Sequence, residues 1–261
     1  MDTARRRGGH LALRPLLALL ALAAAPAASA VPPLVIGDVP TADAGTLEVY
    51  AGVERIRSGT TEWAVPADEL VLGVTSRLEL TLEAPWLVEP GGRGLGDLTL
   101  GAKAVLVPEA EAHPGLSASL EWKLANGSPA AGTGSGAQEL GLLVRAQRGF
   151  GALTLIGDAG YALVGDARVG GVREARRDTG FLGAGATLDL PGGVTPLADL
   201  YWRSADVPGE PARLAADVGL KLHLPARLAI QGAVGRSLRR DALGGPDLRA
   251  YLGLKWELPV F

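Results

Sequence analysis

The last fourteen residues, Leu248 to Phe261 (LRAYLGLKWELPVF), constrain this chain more tightly than any other stretch. Side chains alternate sides along an extended backbone. Leu248, Ala250, Leu252, Leu254, Trp256 and Leu258 therefore share one face, and Arg249, Tyr251, Gly253, Lys255 and Glu257 share the other. The first face is wholly apolar and the second carries the charge. A soluble strand runs about 5 to 6 residues, whereas a tilted strand that crosses a bilayer needs about 9 to 11. The terminal stretch has the second length.

The same alternation recurs along the chain in twelve segments: Thr46–Arg55, Glu69–Thr75 (reaching back toward Trp63 in spite of Pro66), Arg77–Leu87, Asp97–Val107, Leu116–Ala125, Glu139–Gln147, Ala152–Val164, Phe181–Leu190, Leu197–Arg203, Leu214–Leu224, Leu228–Ser237 and Leu248–Val260. None shows a capped 3.6-residue period, so almost no helix is expected. If the first strand rises from the periplasm, the turns on that side are Thr75-Ser76, Val107–Gly115, Arg148-Gly149, Pro191-Gly192-Gly193 and Pro225-Ala226-Arg227. Ile56–Asp68, Val88–Gly96, Asn126–Gln138, Gly165–Gly180, Ser204–Arg213 and Leu238–Asp247 form a longer set on the opposite side. Short turns at one end, long loops at the other and an even strand count describe an antiparallel up-and-down barrel of the outer-membrane type.

Parity alone cannot say whether the apolar face points in or out, but two features favour out. Trp86, Trp122, Tyr161 and Trp202 lie on the apolar parity near one rim and Trp256 near the other, where membrane-interface aromatics belong. The opposite parity carries Glu79, Glu83, Asp97, Lys103, Glu121, Lys123, Arg145, Asp158, Asp199, Arg203, Asp217, Lys221 and Lys255, a mixture of signs expected to line a wet lumen crossed by ion pairs. Charges on the apolar parity, such as Arg55 and Arg236, occur at strand ends, where a membrane tolerates them best.

The N-terminus reads as a leader. Arg5, Arg6 and Arg7 precede an apolar run from Leu11 to Ala25 and small residues ending Ala28-Ser29-Ala30, so residues 1–30 are expected to be a cleaved secretory signal. Removing them takes four Arg and one Asp from the 25 basic and 28 acidic residues, leaving a mildly acidic chain. Val31–Gly45, with three prolines, is expected as an irregular periplasmic segment, with a plug inside the lumen as the other place it can go; residues 46–261 form the barrel. The absence of cysteine rules out thiolate metal sites and Cys nucleophiles.

Several stretches carry a resemblance. Gly94-Leu95-Gly96-Asp97-Leu98-Thr99-Leu100-Gly101-Ala102-Lys103 resembles the Gly-x-Gly-Asp, strand, Gly-x-Lys hairpin of the MetA-pathway phenol-degradation family of outer-membrane transporters. Leu72 to Leu80 resembles that family's turn followed by Arg-Leu-Glu, and Asn126 to Gly136 its Gly-rich loop; Gly160-Tyr161 and Gly253-Leu254-Lys255 are in character. The C-terminal aromatic resembles the residue read by the barrel-insertion machinery, although Phe261 falls one step out of the apolar phase. The resemblance spans roughly residues 45–261. It implies passage of small hydrophobic or aromatic molecules across the outer membrane and supplies no functional residues of its own.

Other chemistries fit poorly. The Gly94–Gly101 stretch is not followed by a helix N-terminus that would receive a phosphate. His113 and His223 have no metal-type partner at short spacing. No outward Ser and His pair suggests a lipase, and interior carboxylates among bases read as ion pairs. The expectation is a channel-like barrel with no catalytic, metal or cofactor residues and no nucleic-acid partner. Its partners would be outer-membrane lipid, lipopolysaccharide, the assembly machinery and an unnamed small molecule. Arg168, Arg173, Arg176, Arg177, Arg239 and Arg240 in the outer loops are candidates for lipopolysaccharide phosphates. A lipid-modifying enzyme and a barrel that moves nothing are the alternatives.

Overall fold

Every alternating stretch is an antiparallel strand in the computed structural model, which describes residues 33–58, 60–65, 69–238 and 248–261. The expected leader therefore lies outside the described residues. The twelve strands are β1 (Thr46–Ser58), β2 (Thr60–Ala64 and Glu69–Thr75), β3 (Leu78–Glu83 and Trp86–Glu89), β4 (Gly92–Leu95 and Thr99–Val107), β5 (Gly115–Lys123), β6 (Glu139–Phe150), β7 (Leu153–Val164), β8 (Thr179–Leu188), β9 (Val194–Arg203), β10 (Arg213–Leu224), β11 (Leu228–Ser237) and β12 (Leu248–Pro259). Each pairs with its neighbours in sequence, and β12 returns to β1 in an unbroken register from Thr46 opposite Pro259 to Arg57 opposite Leu248. Closure removes the edges along the barrel wall, and the Gly92–Leu95 segment, paired with Trp86–Glu89 alone among the described residues, is the free edge of the upper extension.

The apolar parity points outward. Leu80, Leu100 and Leu220 are exposed on the wall, as are Trp86, Trp122, Tyr161, Trp202 and Trp256. Glu79, Lys103, Glu121, Arg145, Asp158, Asp199 and Asp217 are buried. A water-soluble domain would reverse that arrangement. The cost of burying charge is met by pairing inside, while the greasy wall is left for hydrocarbon.

Two local expectations are corrected. The β6–β7 turn is not Arg148-Gly149: these residues stay in β6, opposite Leu155 and Thr154, and the turn falls at Gly151-Ala152, where Gly151 has φ +65°. Val88–Gly96 and the described part of Ile56–Asp68, residues 56–58 and 60–65, are not long loops; residues 59 and 66–68 lie outside the described residues. The strands run on into tight hairpins, with Ser58 opposite Thr60 and Glu89 opposite Gly92, and the hairpins join through Trp63 and Val88. Pro85 and Pro90 interrupt or end strand segments without ending the wall. Pro196 is likewise absorbed within β9, at a point where the ladder to β8 has already stopped at Leu197.

The loop over residues 124–138 folds onto the rim. Ser128 caps a single 3₁₀ turn, Pro129–Ala131, and Gly136 accepts the Arg168 amide through its carbonyl at 3.1 Å. The loop thus bridges to the small hairpin Ala167–Val169 and Val172–Glu174.

Candidate functional site, the occupied barrel interior

The interior is built by the non-lipid parity of all twelve strands, and many of its charges fall into pairs. Lys103 lies 3.0 Å from Glu79 and 3.3 Å from Asp38. Arg145 lies 3.4 Å from Asp158 and 3.8 Å from Glu121, and also contacts Ser119. Arg249 bridges Asp217 at 2.5 Å and Glu54 at 2.6 Å. Lys255 lies 2.8 Å from both Glu48 and Glu257, and Lys123 pairs with Glu139. Register explains the matching, since Glu79 is opposite Lys103, Asp158 opposite Arg145, and Lys123 opposite Glu139 on adjoining strands. Cross-strand neighbours on one face stand close enough for direct contact.

Residues 33–42 occupy this lumen instead of the periplasmic position expected for Val31–Gly45, of which residues 31 and 32 lie outside the described residues; their seating agrees with the other placement, a plug. Asp199 Oδ2 accepts the amides of Val35 at 2.8 Å and Ile36 at 3.3 Å. Asp158 Oδ2 accepts that of Gly37 at 3.0 Å, Gln147 Oε1 that of Val39 at 3.2 Å, and Glu79 Oε2 that of Ala42 at 2.7 Å. The Pro33 carbonyl accepts from Arg249 at 3.0 Å. The physical reason is satisfaction of polar groups. A segment without helix or sheet partners still has to bond its buried amides, and the lumenal carboxylates supply the acceptors.

The segment also has an apolar seat. Leu34 and Ile36 pack with Ile156, Phe181 and Leu197, flanked by Tyr201, whose ring lies 6.2 Å from that of Phe181. Gly183 and Gly185 make room: a Cβ at either would fall within 2.5 Å of the Ile36 side chain. Two spaces remain. One of about 470 Å³, partly open solvent, is lined by Thr99, Glu121, Lys123, Glu139, Phe181 and Arg203 among others. A smaller one of about 310 Å³ lies beside Gly37, Glu69, Glu79, Lys103 and Arg145.

The structure therefore brings together most of the residues singled out as lumenal. Glu83, Arg203, Lys221 and Lys255 are half-buried on the same parity. Asp97 is different and is better described as a loop anchor: its Oδ1 accepts the Gly127 amide at 2.8 Å, and its Oδ2 accepts both the amide and hydroxyl of Ser135 at 2.7 Å. The gap between the two segments of β4 places it at the rim, where loop 124–138 covers it. Glu48, Glu54, Glu139 and Gln147 share the lumenal parity of their strands and belong to the same interior, although the sequence reading does not name them. Among the described residues no group of three or more His, Asp or Glu side chains could hold a metal ion. His113 is exposed in its turn.

An apolar outer wall, a salt-bridged interior and closure of twelve antiparallel strands define a β-barrel of the outer-membrane type. No protein-family model matches the chain, and no curated protein sequence matches it. Among solved structures it is similar in fold to the COG4313 outer membrane channel from Pseudomonas putida F1, with TM-score 0.69 and 16% identity, covering 85% of this chain and 98% of that one. It is also similar to the NanC porin (TM-score 0.59, 10% identity, 81% of this chain and 100% of that one). The KdgM porin in complex with disordered oligogalacturonate gives TM-score 0.55 at 10% identity, over 81% of this chain and 98% of that one.

Proposed function

We propose that the protein is an outer-membrane channel for small hydrophobic or aromatic molecules, and that it is not an enzyme. The observation that carries this reading is the lumen itself. It offers an apolar seat built on Phe181, Tyr201, Ile156 and Leu197 within a charged wall, held at present by Leu34 and Ile36 of the chain's own N-terminal segment. A seat that accepts two aliphatic side chains suits a small apolar solute. The motif resemblance of Gly94–Lys103 and Leu72–Leu80 supports assignment to the MetA-pathway phenol-degradation transporters, and the folds of the similar structures support a channel-like barrel. On this reading the leader directs export, the C-terminal strand engages the assembly machinery, and the wall sits in outer-membrane lipid.

The test is reconstitution into lipid vesicles with phenol as the probe solute. Uptake is expected to exceed that of protein-free vesicles, and Leu34→Ala combined with Ile36→Ala is expected to raise both phenol uptake and ion conductance severalfold. Vesicles that take up no phenol and pass no current with either protein would overturn the channel reading.

A further inference from the structure

Arginines on the two faces of this barrel are treated differently. Inside, Arg145 and Arg249 each contact carboxylates from two other strands. At the rim, Arg173 pairs with Asp166, and Arg176 with Asp206 at 3.2 Å and Glu174 at 3.4 Å; the Arg176 side chain is only 4% exposed. The outer loop thus uses these arginines internally. Arg55, Arg57, Arg93 and Arg236 stand on the outward parity and make no ion pair among the described residues. Arg55 lies over the ring of Trp63 at 5.5 Å, and its Nε has no hydrogen-bond partner.

Register gathers these four at one place. Arg57 is opposite Leu248, and Gly235 is opposite Arg249, so Arg236 and Arg57 flank Leu248 from the two sides of β12. One step lower, Ala250, Arg55, Trp63, Val88 and Arg93 form a continuous cross-strand row from β12 to β4. With strands about 4.8 Å apart, the four guanidinium-bearing positions span roughly 24 Å along the rim. Below them the wall is bare hydrocarbon surface: Val53, Leu252, Leu254 and Val234 are all exposed, Leu252 by 65%. Among the described residues no acidic residue shares the outward face in these rows; Glu54, Glu62 and Glu89 fall on the opposite parity.

We infer that this seam, where the last strand closes on the first, binds a glycolipid carrying two headgroup phosphates in the outer leaflet. Arg57, Arg93 and Arg236 would meet the phosphates, Arg55 would sit at the sugar and ring level on Trp63, and the acyl chains would run down over Val53, Leu252 and Leu254. The chemistry is specific in kind. A guanidinium meets phosphate oxygens bidentately, unpaired cations at the membrane interface attract anionic headgroups, and the exposed apolar strip needs acyl chains as its partner. The inference rests on the reading that the wall faces an outer leaflet, and it leaves transport aside.

The experiment compares the full protein with an Arg57→Gln, Arg93→Gln, Arg236→Gln variant and with its three-fold Arg→Lys counterpart. Purified protein in detergent is titrated with diphosphorylated lipid A, monophosphorylated lipid A, phosphatidylglycerol or inorganic phosphate, and bound lipid is read by native mass spectrometry. The wild type is expected to bind diphosphorylated lipid A at least tenfold more tightly than phosphatidylglycerol, with no binding of inorganic phosphate. The Gln variant is expected to lose at least tenfold while folding unchanged by heat-modified mobility, and the Lys variant to recover part of the loss. Equal binding by wild type and Gln variant, or equal affinity for lipid A and phosphatidylglycerol, would overturn the site. Cell fractionation separates the premises: a protein absent from the outer membrane defeats the membrane reading, whereas an outer-membrane protein with indifferent arginines defeats this inference alone.

Discussion

Gly183 shows how a single hydrogen side chain holds a place for another residue. A Cβ there would lie 2.5 Å from Ile36 Cγ2, and the next nearest atoms are ring carbons of Phe181 at 3.3 Å, so only side chains have to move. Gly183→Ala is therefore expected to push Ile36 from its seat and leave the β8 ladder intact. Displacing a buried Ile forfeits about 2 to 5 kcal/mol of burial at the extreme, and a partial shift forfeits part of it. Hydrogen exchange at Val35, Ile36 and Gly37 should accelerate by one to two orders of magnitude with the barrel's melting unchanged; unaltered exchange would show that Ile36 does not hold the segment. At the outer rim, Asp166 gives a pH prediction. The Arg173 guanidinium hydrogen-bonded to its carboxylate, and then the Arg176 amide, hold it below the ordinary aspartate range. A lowered folded-state value means the contact stabilises the hairpin above the unfolded value, near 3.9, and is lost as pH falls through the lowered one. Protection of the Arg176 amide should persist at pH 5 and fall only below about 4, and Asp166→Asn should remove that dependence.

At the scale of the element, β12 separates what a strand needs to be stable from what it needs to be inserted. Its pairing stops at Pro259, after which the Val260 amide donates to the Gly45 carbonyl at 2.8 Å and Phe261 lies 80% exposed. Phe261→Ala is expected to change barrel stability by no more than about 0.5 kcal/mol in a lipid-vesicle unfolding titration, because no packing is lost. On the proposal that the terminal aromatic is read during assembly, the same variant should accumulate less folded barrel in cells; normal accumulation would remove that role. The strands were legible because parity is a local property: Leu116, Ala118, Leu120 and Trp122 declare their face without reference to any other strand. The Gly151-Ala152 turn was obscured by Arg148 and Gly149, which resemble a turn but are held in β6 by β7. The upper hairpins were hidden behind Pro66, Pro85 and Pro90. The seating of residues 33–42 had no local signal at all, because its cause is acceptors such as Asp199 and Glu79 that are far away in sequence. Lumenal residues were legible as a face, whereas their partners required the register.

For the molecule as a whole, the decisive quantity is the energy of a charge against depth on the outer wall. β10 provides a ruler whose marks are set by register. Leu214 is opposite Trp202 at the outer girdle, while Leu224 is opposite Leu228, which is itself opposite Trp256 at the inner one. Val218 and Leu220 lie midway and face outward. In a bilayer, Arg at the midplane costs about 2 to 4 kcal/mol and at the interface about 0 to 1. Val218→Arg should therefore destabilise the folded barrel by about 2 to 4 kcal/mol in vesicles, Leu214→Arg and Leu224→Arg by about 1 kcal/mol or less, and Leu220→Arg should fall near Val218→Arg. The measurement is denaturant unfolding of each variant in vesicles of one composition. A wall that met water instead of acyl chains would give four small and equal changes, because an exposed cation costs little wherever it stands. A peak centred on Val218 and Leu220 is expected only if both aromatic rows mark the boundaries of a hydrocarbon layer, and a flat series would refute the orientation on which the interior ion pairs, the seated N-terminal segment and the outer arginine row all depend.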